Sequence, residues 1–264
     1  MSEQGVLLQR ELQTRNTRVL VKIAQMLAQC GAESRLIEQT TCRIGATLGV
    51  ESVEMAILPS AIVLTTLNYG ACITTTRRVK ELGINMNTLC ALQRICVMCE
   101  KGLLTTADEI DARLMDIKPF HYPKPLVMLM VGLSCGAFSV LYGADWPVFL
   151  VTFLSAAIAM GVRQFLAMRH FSPLINFAVT AFIATLLSSS ASLFHWGEQP
   201  YLAMATSVLL LVPGFPLVNA MLDIVKGYLT MGLARWSTAT FLTISATVGI
   251  VLAMKLTGVA GWSL

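Results

Sequence analysis

Val212-Pro213-Gly214-Phe215-Pro216-Leu217-Val218-Asn219-Ala220-Met221-Leu222-Asp223-Ile224-Val225-Lys226-Gly227 interrupts a long apolar run with two prolines and then supplies an amide and a carboxylate. Each proline lacks an N–H, so the carbonyls of Leu209 and Val212 are expected to lose their usual helical partners. Inside a bilayer that loss is tolerated only where protein or a wet cavity answers the freed groups. A membrane helix broken in this way is a pointer to a transport site.

The composition around the run agrees with a membrane protein. Hydrophobic residues make up 55% of the 264 and charged residues 13%, a balance outside the ordinary soluble range. The charges are also segregated: 14 of 19 Lys and Arg and 12 of 15 Asp and Glu fall within 1–124. The chain thus reads as a polar domain, 1–124, followed by a membrane domain, 125–264. The net charge of +4 does not indicate a nucleic-acid partner, since the basic residues are mixed with acids in the first part and sit at membrane edges in the second. The first 25 residues form no signal-peptide core, so the polar domain and six of the seven cysteines are expected in the reducing cytoplasm as free thiols.

Five stretches, 125–143, 146–163, 173–194, 201–225 and 236–257, are long and apolar enough to span a bilayer. With the N-terminus inside, the loops carrying Arg163, Arg169 and His170, and Lys226 and Arg235, are cytoplasmic. The loops with Asp145, and with His195 and Glu198, are outside. This obeys the positive-inside rule, and the C-terminus is then periplasmic. Trp146, Trp196, Trp236 and Trp262 fall at predicted helix ends, where interfacial anchors belong. The expected fold is a membrane all-α domain of five transmembrane helices, the fourth one broken, preceded by a small cytoplasmic α+β domain.

The candidate substrate or coupling residues are Pro213, Gly214, Pro216, Asn219 and Asp223, with Lys226 and Asn176 in support. Asn219, Asp223 and Lys226 recur at intervals of four and three and share a helix face. In one reading, a second half-helix starting near Leu217 offers free N–H groups and a positive dipole end to an anion, and Asp223 couples protons or gates. In the other, Asp223 pairs with Lys226 at the membrane edge and the prolines only kink the helix. Gly132 and Gly136 form a small-xxx-small pair suited to helix contact.

Within 1–124, apolar residues at helical spacing predict helices over 5–30, 33–48 and 87–100. Thr106-Ala107-Asp108-Glu109 opens a last one as a capping box. Val53 to Ile57, Ala61 to Leu67 and Ala71 to Arg77 predict a three-stranded meander. Cys96-Val97-Met98-Cys99 lies in a helical pattern with no second pair or clustered His, which favours buried thiols over zinc. No nucleotide loop or hydrolase motif occurs, and no enzyme activity, cofactor or metal is expected.

Cys30-Gly31-Ala32-Glu33-Ser34-Arg35-Leu36-Ile37-Glu38, Leu58-Pro59-Ser60-Ala61-Ile62, Thr75-Thr76-Arg77-Arg78-Val79 and Val212-Pro213-Gly214 with Asn219 and Asp223 together resemble the ThrE-type threonine/serine exporter family. Full-length members of that type carry ten spans. The resemblance therefore implies the large subunit of a split exporter in the bacterial inner membrane, working with a small five-span subunit. It implies export of succinate and related C4 dicarboxylates, or alternatively of threonine and serine. A membrane-anchored regulatory module is the reading from another class.

Overall fold

The computed structural model describes residues 3–80 and 83–259; Trp262 and the C-terminal Leu264 lie outside them. The chain forms two compact units that do not follow chain order. One is Met1–Phe120 with Leu217–Trp236, and the other is His121–Pro216 with Ser237–Leu264.

In the first unit, α1 (Glu3–Gln29) and α2 (Ser34–Thr47) precede a sheet of order β1-β2-β3, Ser52–Ile57, Ala61–Asn68 and Ala71–Arg78. Both pairings are antiparallel, with Ile57 opposite Ile62 and Asn68 opposite Ala71. Tyr69 and Gly70 close the second hairpin with φ of 48° and 74°, the left-handed pair that a tight hairpin turn requires. Alternate residues of β2, Ile62, Leu64 and Thr66, are buried. They meet Leu20, Ile23 and Leu27 of α1, Ile37 and Ile44 of α2, and Leu92 and Ile110 in one core, where each fully buried Leu or Ile contributes about 1.5–3 kcal/mol.

The helical pattern in α1 begins at Leu8, yet Leu8 and Leu12 are exposed and burial starts at Gln13. Gln13 Nε2 donates to Thr66 O at 3.1 Å and to Ala71 O at 2.9 Å, and Thr17 shares a 2.7 Å bond with the Thr66 hydroxyl. The polar groups under α1 are thereby satisfied. α3 (Met86–Glu100) is capped by Asn85, and α4 (Ala107–Met115) opens on the expected Thr106 to Glu109 capping box.

Cys96 and Cys99 lie on the buried face of α3. Burial, reinforced by the neighbouring Cys96, pushes the Cys99 thiol up to about 11, so it stays protonated near neutral pH, and only a thiolate attacks. Cys72 and Cys90 are exposed. With N-ethylmaleimide at pH 7.5, Cys72 and Cys90 should label at least about a hundredfold faster than Cys99, which reacts only on unfolding or as pH climbs toward 11. Mass-resolved labelling checks this, and rapid modification of Cys99 in the native protein would contradict its place in the core.

The second unit contains α5 (Lys124–Leu141), α6 (Trp146–Met168), α7 (Pro173–Leu193), α8 (Tyr201–Ser207), a 3-10 turn (Leu209–Leu211) and most of α10 (Leu229–Thr257). A Cβ on Gly132 would sit 2.8 Å from Phe153 O, and one on Gly136 2.8 Å from the Phe149 ring. The glycine pair is thus the surface along which α5 and α6 approach each other. Gly249 does the same for α10, whose backbone lies directly on Ala178 O of α7.

α5, α6, α7 and α10 are each long and apolar enough to cross a membrane. The helical stretch Tyr201–Leu211 and α9 (Gly214–Val225) make a fifth if the pair, bent by 54°, is one span. Two expectations about this region need correcting. α9 starts at Gly214 and not near Leu217, because Pro216 then falls in the first helical turn, where no N–H is needed. α10 starts at Leu229 and not at 236, so Trp236 lies two turns inside it and Arg235 belongs to the helix and not to a loop. At 29 residues it is about 43 Å long, more than a bilayer core needs.

The carbonyls at the break are also better served than the prolines alone imply. Leu209 O accepts from Val212 N–H at 3.1 Å and Val212 O from Gly214 N–H at 2.8 Å. Tighter turns replace the two α-helical bonds that Pro213 and Pro216 cannot make.

Candidate functional site

Gly31, with φ of 83°, stops α1. Its N–H returns to Ala28 O and the N–H of Ala32 to Leu27 O, the double bond of a glycine-terminated helix. α9 ends in the same way: Gly227 has φ of 91°, its N–H reaches Ile224 O, and Tyr228 N–H reaches Asp223 O at 2.8 Å. Both stops place carbonyl and amide groups at one cluster in the first unit.

Asp223 is fully buried there. Its Oδ1 accepts the Ser34 backbone N–H at 2.9 Å, and its Oδ2 pairs with Arg235 Nη1 at 2.8 Å. Ser34 opens α2, whose N-cap, Glu33, makes no side-chain cap bond. The carboxylate of Asp223 therefore caps α2 from 189 residues away, at the end of the helix where a negative charge is stabilised. Arg235 also donates from Nη2 to Ala32 O at 2.7 Å, and Asn219 Nδ2 donates to Gly31 O at 2.8 Å. Gly232 permits this geometry, since a Cβ there would meet Ala220 O at 2.9 Å and hold α10 away from α9.

Lys226 does not pair with Asp223. Its Nζ lies 2.6 and 2.7 Å from the two oxygens of Glu33. The reason is directional: Asp223 is committed to the α2 N-terminus and Arg235, and Lys226, beyond the last turn of α9, is left for the exposed side of the same turn. Tyr228 donates to Glu38. Burial and that hydrogen bond push its hydroxyl up to about 12, so it remains a donor throughout the physiological range. Arg35, Glu38, Gln39, Cys42, Lys226 and Tyr228 line a cavity of about 340 Å³ beside the cluster.

In the second unit, the polar group belongs to α6 and α7. Arg163 Nη1 donates to Leu210 O at 3.2 Å, and its guanidinium lies 4.8 Å from the centroid of the Phe177 ring. Asn176 Nδ2 donates to Arg163 O at 3.1 Å, and Thr180 donates to Asn176 Oδ1 at 3.2 Å. Where α8 meets the same two helices, Ser207 bonds Ser188 at 3.2 Å and Thr152 lies 3.5 Å from Thr206. All four of these hydroxyl residues are buried.

Of the residues singled out in the sequence, Asn219, Asp223 and Lys226 share the first cluster and Asn176 belongs to the second. Pro213, Gly214 and Pro216 shape the break itself. Sequence reasoning misses Arg235, because a last span beginning at 236 leaves it in a loop, and misses the Gly31 to Ser34 turn as the partner of Asp223. The signal for the latter is a glycine stop followed by a helix start without a side-chain cap, which leaves Gly31 O, Ala32 O and Ser34 N–H to be answered from elsewhere.

The family model described as "Putative threonine/serine exporter", ThrE, matches residues 18–257. The chain belongs to the ThrE family. Two ThrE-family relatives are named "Probable succinate transporter subunit YjjP". The one from Klebsiella aerogenes is 46% identical over 94% of this chain and 96% of its own length. The one from Escherichia coli is 44% identical over 97% and 100%. A protein of Mycobacterium tuberculosis named "Probable threonine/serine exporter" is 27% identical over 89% of this chain but only 45% of its own length. No solved structure matches. Within this family the apolar helices are those of a multi-pass membrane transporter subunit, not of an enzyme.

Proposed function

We propose that this chain is the large subunit of a secondary exporter of small carboxylates, with succinate and related C4 dicarboxylates as its substrates. It acts with a small five-span membrane subunit. The observation that carries the reading is a fully buried carboxylate, Asp223, on the helix that follows a proline break, since ionisable groups in spanning helices are retained for function. Its oxygens are occupied by Ser34 N–H and Arg235, which favours a gating role over direct substrate contact. Asn219 works with it as the second hold on the Gly31 to Ser34 turn. Pro213, Gly214 and Pro216 supply the irregular backbone of the pathway, and Asn176 and Lys226 steady its flanks. Two near-full-length relatives named as succinate transporter subunits support the substrate class.

The half-length match to a larger exporter supports a transporter built from two chains, in which five spans on each side enclose the pathway. The orientation that follows has residues 1–124 in the cytoplasm, 125–264 as the inner-membrane domain and the C-terminus in the periplasm. No nucleotide-binding motif occurs, so an ion or substrate gradient drives export. Proteoliposomes holding this chain and its small partner, preloaded with radiolabelled succinate, threonine or serine, test the proposal. Succinate efflux that needs both chains is expected. Absence of efflux for all three under every imposed gradient would overturn it, and efflux of threonine and serine alone would reassign the substrate.

A further inference from the structure

We infer that Arg163 is the residue that recognises a substrate carboxylate in the transport pathway, with Asn176 and Thr180 holding its backbone and surroundings in place. The inference rests on the exporter reading and adds to it a binding residue that the broken helix alone does not provide.

Arg163 lies five residues inside the end of α6 and is half-buried. Among the described residues it has no carboxylate within ion-pairing distance. The other cations of residues 125–264 are disposed differently. Lys226 is paired with Glu33 and Arg235 with Asp223, while Arg169 and Lys255 are exposed near helix ends. Holding an arginine in a spanning helix costs several kcal/mol unless it meets a partner or a wet cavity.

The bond to Leu210 O does not by itself account for the guanidinium. That carbonyl stands at the proline break, and the neighbouring carbonyls of Leu209 and Val212 are answered by neutral backbone N–H groups. A permanent charge is not required to satisfy a carbonyl. The bond to Leu210 uses one N–H of five and contact with Phe177 uses one face of the plane. What remains is a planar fork of donors whose geometry matches the two oxygens of a carboxylate. Asn176 fixes the Arg163 carbonyl, and Thr180 fixes the Asn176 amide, so the fork is carried on a braced backbone. The buried hydroxyl pairs Ser188 with Ser207 and Thr152 with Thr206 lie between α6, α7 and α8, and each of the four also donates to a carbonyl of its own helix. In this proposal one carboxylate of a short dicarboxylate sits on the guanidinium fork and the other is met by the second subunit.

The experiment uses the two-subunit complex in liposomes and measures succinate uptake kinetics together with competition by succinamide, which has the same skeleton without charge. Arg163→Gln should raise KM for succinate at least about tenfold and leave the weak competition by succinamide unchanged, because only the charged ligand uses the guanidinium. Arg163→Lys keeps the charge but loses the fork. It should fall between the two, and it carries the test if the Gln variant does not accumulate. A KM for succinate within twofold of wild type in Arg163→Gln overturns the inference while leaving the exporter reading intact. Equal weakening toward succinate and succinamide also overturns it, by assigning Arg163 a purely structural role at the break. A wild-type complex that moves no carboxylate at all defeats the exporter reading first, and the assignment of Arg163 with it.

Discussion

Asp223→Ala is expected to destabilise the protein by about 3–5 kcal/mol, because it strands the Arg235 guanidinium in a buried site. Arg235 is 10% exposed at the side chain and Asp223 not at all, so water cannot take over the lost partner. The alanine also leaves the Ser34 N–H without its acceptor. Asp223→Asn should cost less, since the amide oxygen can still accept from Ser34 while the charge pairing is gone. The informative variant is the double one, Asp223→Asn with Arg235→Gln. It removes both charges and should recover a substantial part of the stability lost by Asp223→Asn alone, a coupling of the kind that double-mutant cycles isolate. Retained folded fraction after heating in detergent reads the stability, and efflux from the proteoliposomes described above reads the proposed function. If the two single changes simply add in the double variant, the pair is not the coupled unit described. If stability recovers but efflux does not, the charges themselves serve transport.

Ser34 offers the second large effect, and it separates a backbone contact from a side-chain one. Ser34 is the first residue of α2 and its predecessor Glu33 has φ of −68° and ψ of 153°, the extended conformation that a following proline demands. Proline is welcome at a first helical position. Ser34→Pro therefore suits the local backbone and deletes the N–H from which Asp223 accepts, together with the side-chain hydroxyl. The loss of a hydrogen bond to a buried carboxylate should cost about 1.5–3 kcal/mol. Ser34→Ala is the matched control. The Ser34 hydroxyl is buried and has no hydrogen-bond partner among the described residues, so its removal should be neutral or slightly stabilising. Equal thermal midpoints for the proline and alanine variants would contradict the capping role of Asp223.

Much of the fold is legible from local pattern, and the cluster at Asp223 is not. The meander from Ser52 to Arg78 follows from alternation and a Tyr-Gly turn, and α4 from a capping box, because both signals act over a few residues. The long apolar helices follow from run length. The start of α10 was misplaced because Gly227 reads as the opening of a loop, whereas it is a helix stop followed after one residue by another helix. The pairing of Asn219 with Gly31, and of Asp223 with Ser34, spans 188 and 189 residues, and no local periodicity encodes a contact at that distance. Arg163 reads as a loop charge in the sequence for the same kind of reason. Hydropathy ends a span at the first cation, but the helix carries that cation inward for another turn and a half.

The order of the two halves of the Asp223 cluster along the chain has a consequence for biosynthesis. The amino end of α2 leaves the ribosome early, but the carboxylate that caps it is encoded 189 residues later. At about 5–20 residues per second, the nascent N-terminal segment waits roughly 10–40 s with that helix end open. The second half of that interval is the synthesis of α5 to α8. The unit that holds α2 is thus completed only when α9 and the start of α10 arrive, which makes its closure a late checkpoint on the assembly of everything between.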